Sequence, residues 1–143
     1  MVLASALLAL GGSSLVAATA LAKTQQINEH VALTLVKRTG STNFQHKGRA
    51  TGTVSGTVRS TITLTHAVVL NGTVTITTSA GQLRLKVSGR ARSLAIRSAF
   101  NGSATIAGGT GRYAHAHGKG GFTGIVNRNT WAATLDATGS LTY

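Results

Sequence analysis

The chain has 143 residues, with 14 Lys and Arg against 2 acidic residues, 18 Gly, no Pro and no Cys, and a net charge of +12. That length is one domain. Zero Cys excludes a disulfide scaffold, a thiolate zinc site, a cysteine nucleophile and a lipoprotein anchor, and two carboxylates, Glu29 and Asp136, leave almost no room for a carboxylate-rich cation site or a two-carboxylate hydrolase.

Residues 2–22 are uncharged, rich in Ala and Leu, and end in Ala20-Leu21-Ala22 just before Lys23. Signal peptidase reads small side chains at those two subsites, so 1–22 is predicted to be a cleaved signal peptide and the protein to be secreted, either extracellular or in the cell envelope. No Lys or Arg precedes the apolar run, so Met1 reads as an internal start. A retained membrane helix is the alternative, weakened by Gly11-Gly12-Ser13-Ser14. Such an uncleaved segment is the one membrane contact this reading allows.

Residues 23–143 read as a single domain of strands. Val31, Leu33 and Leu35 alternate with Ala32 and Thr34. Val54, Val58, Ile62 and Leu64 share a parity against Thr53, Thr57, Arg59, Thr61, Thr63 and Thr65. Val74 and Ile76 follow, then Leu83, Leu85 and Val87, then Leu94 and Ile96. Trp131, Ala133, Leu135, Ala137 and Leu141 oppose a row of Thr and Asp136. Each set is one apolar face and one Thr/Arg face, and β-branched Thr and Val suit a pleated surface. Asn71-Gly72 is the strongest hairpin signal, with Ala80-Gly81, Ser88-Gly89 and Asn101-Gly102 weaker ones. No helix is predicted after residue 23. About eight strands with one apolar face must hide that face. A closed or nearly closed antiparallel barrel does so and removes the edges, with a two-sheet sandwich as the alternative. Gly52, Gly56, Gly118, Gly120 and Gly124 suit the bends of a small, strongly curved barrel.

Residues 100–124 read FNGSATIAGGTGRYAHAHGKGGFTG. The run Ile106-Ala107-Gly108-Gly109-Thr110-Gly111-Arg112-Tyr113-Ala114, followed by Gly118 and Phe122, resembles the glycine-rich hairpin of the allene oxide cyclase and dirigent-protein barrels, especially small secreted bacterial members. The resemblance extends over most of 23–143. It implies an eight-stranded antiparallel barrel with an apolar interior. Cyclases of that group rearrange an unsaturated fatty-acid epoxide, and dirigent proteins steer the coupling of phenolic radicals. No catalytic residue of either group falls on a matching position here, so the resemblance implies the barrel and not a reaction.

Glu29 and His66 share the inward parity of their neighbours, and with Tyr113 they form a candidate acid/base set inside a barrel. His115 and His117, two residues apart, point to the same side of a strand and are weak candidates for gripping a metal, with His66 or Glu29 as third ligand. A solvated polar pair after a glycine-rich turn is the simpler reading, so no metal and no cofactor is predicted. Arg84, Lys86 and Arg90 share the solvent-facing parity and form a stripe that attracts an anionic cell-surface polymer, or merely keeps a Thr/Gly-rich protein soluble. Specific nucleic-acid recognition is not expected, since stacking aromatics are scarce. Gly108–Gly111 lacks the Lys-Ser/Thr and helix of a phosphate loop.

These residues predict a secreted, non-catalytic barrel that binds an apolar small molecule inside or an anionic polymer outside. The alternative is a cyclase-like isomerase or coupling guide acting on a hydrophobic lipid or phenol. The two differ in whether the interior is open, or plugged by Trp131, Phe122 and Leu side chains. A homo-oligomer is possible on the resemblance, although few aromatics are available for a large interface.

Overall fold

The structure is a computed structural model that describes residues 21–143. The expected signal segment therefore lies, but for its last two residues, outside the described residues. Eight antiparallel strands follow in order: β1 Thr24–Thr39, β2 Asn43–Gly52, β3 Gly56–Thr65, β4 Val69–Thr78, β5 Gly81–Ala91, β6 Arg97–Gly109, β7 His117–Asn127 and β8 Ala133–Thr142. Each pairs with the next, and β8 pairs back onto β1 from Thr24↔Thr142 to Leu33↔Ala133. Lys23 and Tyr143 finish the seam with two main-chain hydrogen bonds, at 2.7 and 2.9 Å. Closure leaves no edge strand, which settles barrel over sandwich.

The alternation read from the sequence is the alternation of the wall. Val31, Val58, Ile76, Leu83 and Ile106 point inward and are buried, while the intervening Thr, Arg and Lys residues face out. The wall has two ends. The connections 40–42, 66–68, 92–96 and 128–132 lie at one, called here the upper end. The connections 53–55, 79–80 and 110–116, with Lys23 and Tyr143, lie at the lower end.

Three hairpin signals are corrected. Asn71-Gly72 sits inside β4, Ser88-Gly89 inside β5 and Asn101-Gly102 inside β6. Gly72 serves close approach rather than turning: a Cβ there would lie 2.1 Å from the Thr61 carbonyl oxygen and 2.7 Å from Ile62 Cδ1. The β3–β4 turn is made instead by His66 and Ala67, at φ 51° and 60°. Ala80-Gly81 does turn the chain, into β5. Leu94 and Ile96, read as a strand, lie in the 92–96 loop. A single 3₁₀ turn at Gly111–Tyr113 is the one departure from all-strand structure among the described residues. The strand β2 had no place in the sequence reading, because Gly48 interrupts the inward row Phe44, His46, Ala50.

The lower end is closed. Tyr113, Ala116, Leu141 and Val54 are all buried there, and Tyr113 meets Tyr143 edge-on at 5.4 Å between ring centroids. At the upper end Phe44 packs on Trp131 at 4.3 Å, but Leu33, Leu64, Leu70, Val126 and Trp131 are only half-buried.

Candidate functional site

The barrel is hollow. A cavity of about 200 Å³ runs inside it, walled by inward residues of all eight strands and reaching Leu64, Leu70, Val126, Arg128 and Trp131 at the upper end. Its surface is apolar throughout. The plug of Trp131, Phe122 and Leu side chains therefore does not form. Phe122 and Phe100 pack against each other on one side, at 6.0 Å, and Trp131 lines the cavity at its upper end.

Just behind that apolar surface lie three buried polar side chains, each with one atom lacking a hydrogen-bond partner: Glu29 Oε2, His46 Nδ1 and Ser60 Oγ. Buried polar atoms are nearly always paired, so three on one cavity wall mark it as more than core. Glu29 belongs to the lower half of β1. Its Oε1 accepts a hydrogen bond from the Val54 N–H, while burial pushes its carboxyl above the ordinary range against the opposing effect of that bond. Gly52, opposite it at φ 134°, leaves the carboxyl its space: a Cβ would stand 3.1 Å from Oε2 and 2.2 Å from the Asn28 carbonyl oxygen. Desolvation thus favours a neutral carboxylic acid.

His46 and Ser60 form a second polar spot. They are directly opposite in the β2–β3 register, which puts their Cβ atoms about 5 Å apart. His46 Nε2 lies 2.8 Å from the Trp131 carbonyl oxygen. A carbonyl only accepts, so Nε2 carries the proton and Nδ1 offers a lone pair. Burial pushes the His46 pKa down, more than the Trp131 bond raises it, which favours the neutral ring. Glu29 and His46 are not a proton relay. His46 pairs with Leu35, six residues along β1 from Glu29, or about 20 Å of strand.

Of the expected acid/base set, only Glu29 faces the cavity. His66 is exposed in the β3–β4 turn, because a positive φ ends the strand before its parity can carry it inward. Tyr113 is buried in the lower plug and does not line the cavity. His115 and His117 do not share a strand face: His115 precedes β7, and His117 Nδ1 donates to the His115 carbonyl at 3.3 Å. Both are exposed at the lower end, far from His66, and the described residues contain no cluster of three metal-ligating side chains. Arg84, Lys86 and Arg90 do line the outer face of β5, opposite Thr75, Thr73 and Val69. The sequence reading missed His46, Ser60 and Arg128. His46 was legible in principle, two residues from Phe44 and four from Ala50. Arg128 was not, since its position depends on three long-range bonds: Nη2 to the Ala67 and Ser93 carbonyls at 3.1 and 2.8 Å, and Nε to Ser98 Oγ at 3.3 Å.

No family model and no curated protein matches the sequence. Among solved structures, one described as that of a pterocarpan synthase dirigent protein superposes with a TM-score of 0.54 over 85% of this chain and 86% of that one, at 11% identity. The fold is dirigent-like. That agrees with the dirigent half of the expected resemblance, and it carries nothing for the allene oxide cyclase half or for a bacterial source.

Proposed function

We propose that this barrel is an exported binding protein for a small apolar molecule held in its interior. The observation that carries this is the cavity itself, an apolar void in a chain long enough to have filled it. Eight-stranded barrels are just wide enough either to be packed by their own side chains or to hold one ligand. A dry cavity of about 150 Å³ accepts one benzene ring, so about 200 Å³ suits one or two rings. The ligand displaces no well-ordered water from an apolar wall, and its burial is favoured by about 25 cal/mol per Å² of apolar surface.

A second reading rests on Glu29. A carboxyl whose pKa burial raises, just behind a cavity wall, is the kind of group that a dirigent-like coupling guide or a cyclase-like isomerase would use as a proton donor. The likeness to a pterocarpan synthase dirigent protein supports this only as a fold.

Native mass spectrometry of the protein purified from its natural source tests the first reading. A bound small molecule is expected, and it is to be lost when Ala104→Phe fills the cavity. A bare mass, with no uptake of single-ring or fused-ring aromatics by the wild-type protein, overturns it. For the second reading, Glu29→Gln is expected to keep ligand binding and abolish any turnover of the ligand. Unchanged turnover removes the proton-donor role.

A further inference from the structure

Large hydrophobic side chains are unevenly exposed on this barrel. Among the described residues the exposed ones are Leu21, Val36, Leu94, Ile96 and Ile125, and all but Leu21 sit at or beside the upper end. Leu94 and Ile96 project from the 92–96 loop, 68% and 57% exposed. Their exposure is not the looseness of an unanchored loop. The Arg92 N–H donates to the Ala99 carbonyl at 2.8 Å, and the Arg128 N–H donates to the Ile96 carbonyl at 2.7 Å. The fully buried Ser98 donates to the Ser93 carbonyl at 2.6 Å. The loop is held with its two largest apolar side chains in water.

Cations surround that tip. Arg92 and Arg97 bracket the loop, Arg90 precedes it, and Arg128 is bonded to the loop at the Ser93 carbonyl, while Lys37 and Arg38 add charge on the far side of the same rim. No carboxylate opposes them. Of the two acids in the chain, Glu29 is buried, and Asp136 is bound to His30 at 2.8 Å. Apolar tips ringed by arginine match one kind of partner, a surface that is anionic at its face and apolar just beneath it. A soluble polyanion offers nothing to Leu94 and Ile96.

We propose that the upper rim docks on an anionic lipid bilayer, with Leu94 and Ile96 entering the headgroup layer and Arg90, Arg92 and Arg97 pairing with lipid phosphates. The contact is made by the folded barrel, and so is independent of any uncleaved signal segment. Resting on the interior-binding reading, the same pose sets the upper end of the cavity, lined by Trp131 and Arg128, against the bilayer, so an apolar ligand passes between lipid and barrel without crossing water. Ile125, exposed on the neighbouring β7, sets the depth at which the barrel wall meets the interface.

Co-sedimentation with vesicles tests this, comparing pure phosphatidylcholine with an equimolar phosphatidylcholine–phosphatidylglycerol mixture. Binding to the anionic vesicles is expected, with a residue of it surviving high salt because part of it is apolar. Each arginine near an anionic surface contributes about a five-fold factor, so Arg92→Ser with Arg97→Ser weakens binding about 25-fold. Leu94→Ser with Ile96→Ser is expected to weaken it at least about ten-fold and to remove the salt-resistant part. Full binding by the Leu94/Ile96 variant overturns the proposal. So does binding that vanishes at high salt and is lost with Arg84→Ser and Lys86→Ser instead, which moves the contact to the basic stripe of β5 and makes it purely electrostatic. The Ala104→Phe barrel separates the two readings, since it binds vesicles normally whether or not the cavity takes a ligand. The loop variants expose no new core, and an unchanged melting temperature verifies that they fold.

Discussion

The two ends of the barrel are built from the same alternating strands and finish differently. At the lower end the 110–116 connection folds inward, and Tyr113, Ala116 and Leu141 fill the bore. At the upper end Trp131 and Arg128 line the end of the cavity rather than fill the bore, and Leu94 and Ile96 turn outward. An apolar side chain at the lower end stabilises the protein, whereas one at the upper end costs it contact with water. Hydrophobic residues kept in that costly position, beside a cavity that is left unfilled, indicate function rather than folding.

Stability should therefore divide along the same axis. Tyr113→Ala removes a buried ring and its edge-on contact with Tyr143, and is expected to cost about 3–5 kcal/mol in denaturant unfolding. A loss below about 1 kcal/mol would mean that the lower plug is not what holds that end together.

The two buried titratable groups sharpen the contrast by responding to pH in opposite directions. The Glu29 pKa is raised on folding, so its contribution is fully present below the ordinary carboxyl value of 4.5 and is lost as pH rises through its folded value. Glu29→Gln is expected to flatten that loss in unfolding experiments above pH 4.5. The His46 pKa is lowered, so its contribution is present above 6.5 and is lost as pH falls below it. His46→Phe is expected to flatten the acid-side loss while leaving the other slope in place. A Glu29→Gln protein with the wild-type pH profile would show that this carboxyl is not desolvated. The smallest effect belongs to the upper tip, where Leu94→Ser with Ile96→Ser is expected to change stability by no more than about 0.5 kcal/mol.

The middle of β1 was legible in the sequence. Glu29 lies in an uninterrupted alternation with Val31 and Leu33, so its parity gives its direction. The upper half misleads because backbone conformation there overrides parity. His66 continues the Ile62–Leu64 row, but its φ of 51° turns it out to solvent. Leu94 and Ile96 alternate as a strand would, yet the bonds of Ser93, Ser98 and Arg128 hold their segment as a loop. Glycines misled in a second way. Asn71-Gly72 has the composition of a turn, but what the fold needs at Gly72 is the absence of a Cβ beside Thr61. Closure of the sheet and the hollow interior are properties of strand number and tilt, and no local pattern encodes them.

The most direct measurement uses Trp131, the sole tryptophan, which lines the upper end of the cavity. Titration of the full chain with 1-aminonaphthalene, followed by energy transfer from Trp131, is expected to saturate at one molecule per barrel, and Ala104→Phe is expected to abolish the signal without changing the melting temperature. Absent or non-saturating transfer in the wild-type protein, or equal transfer in the filled variant, would contradict an interior that binds small apolar molecules.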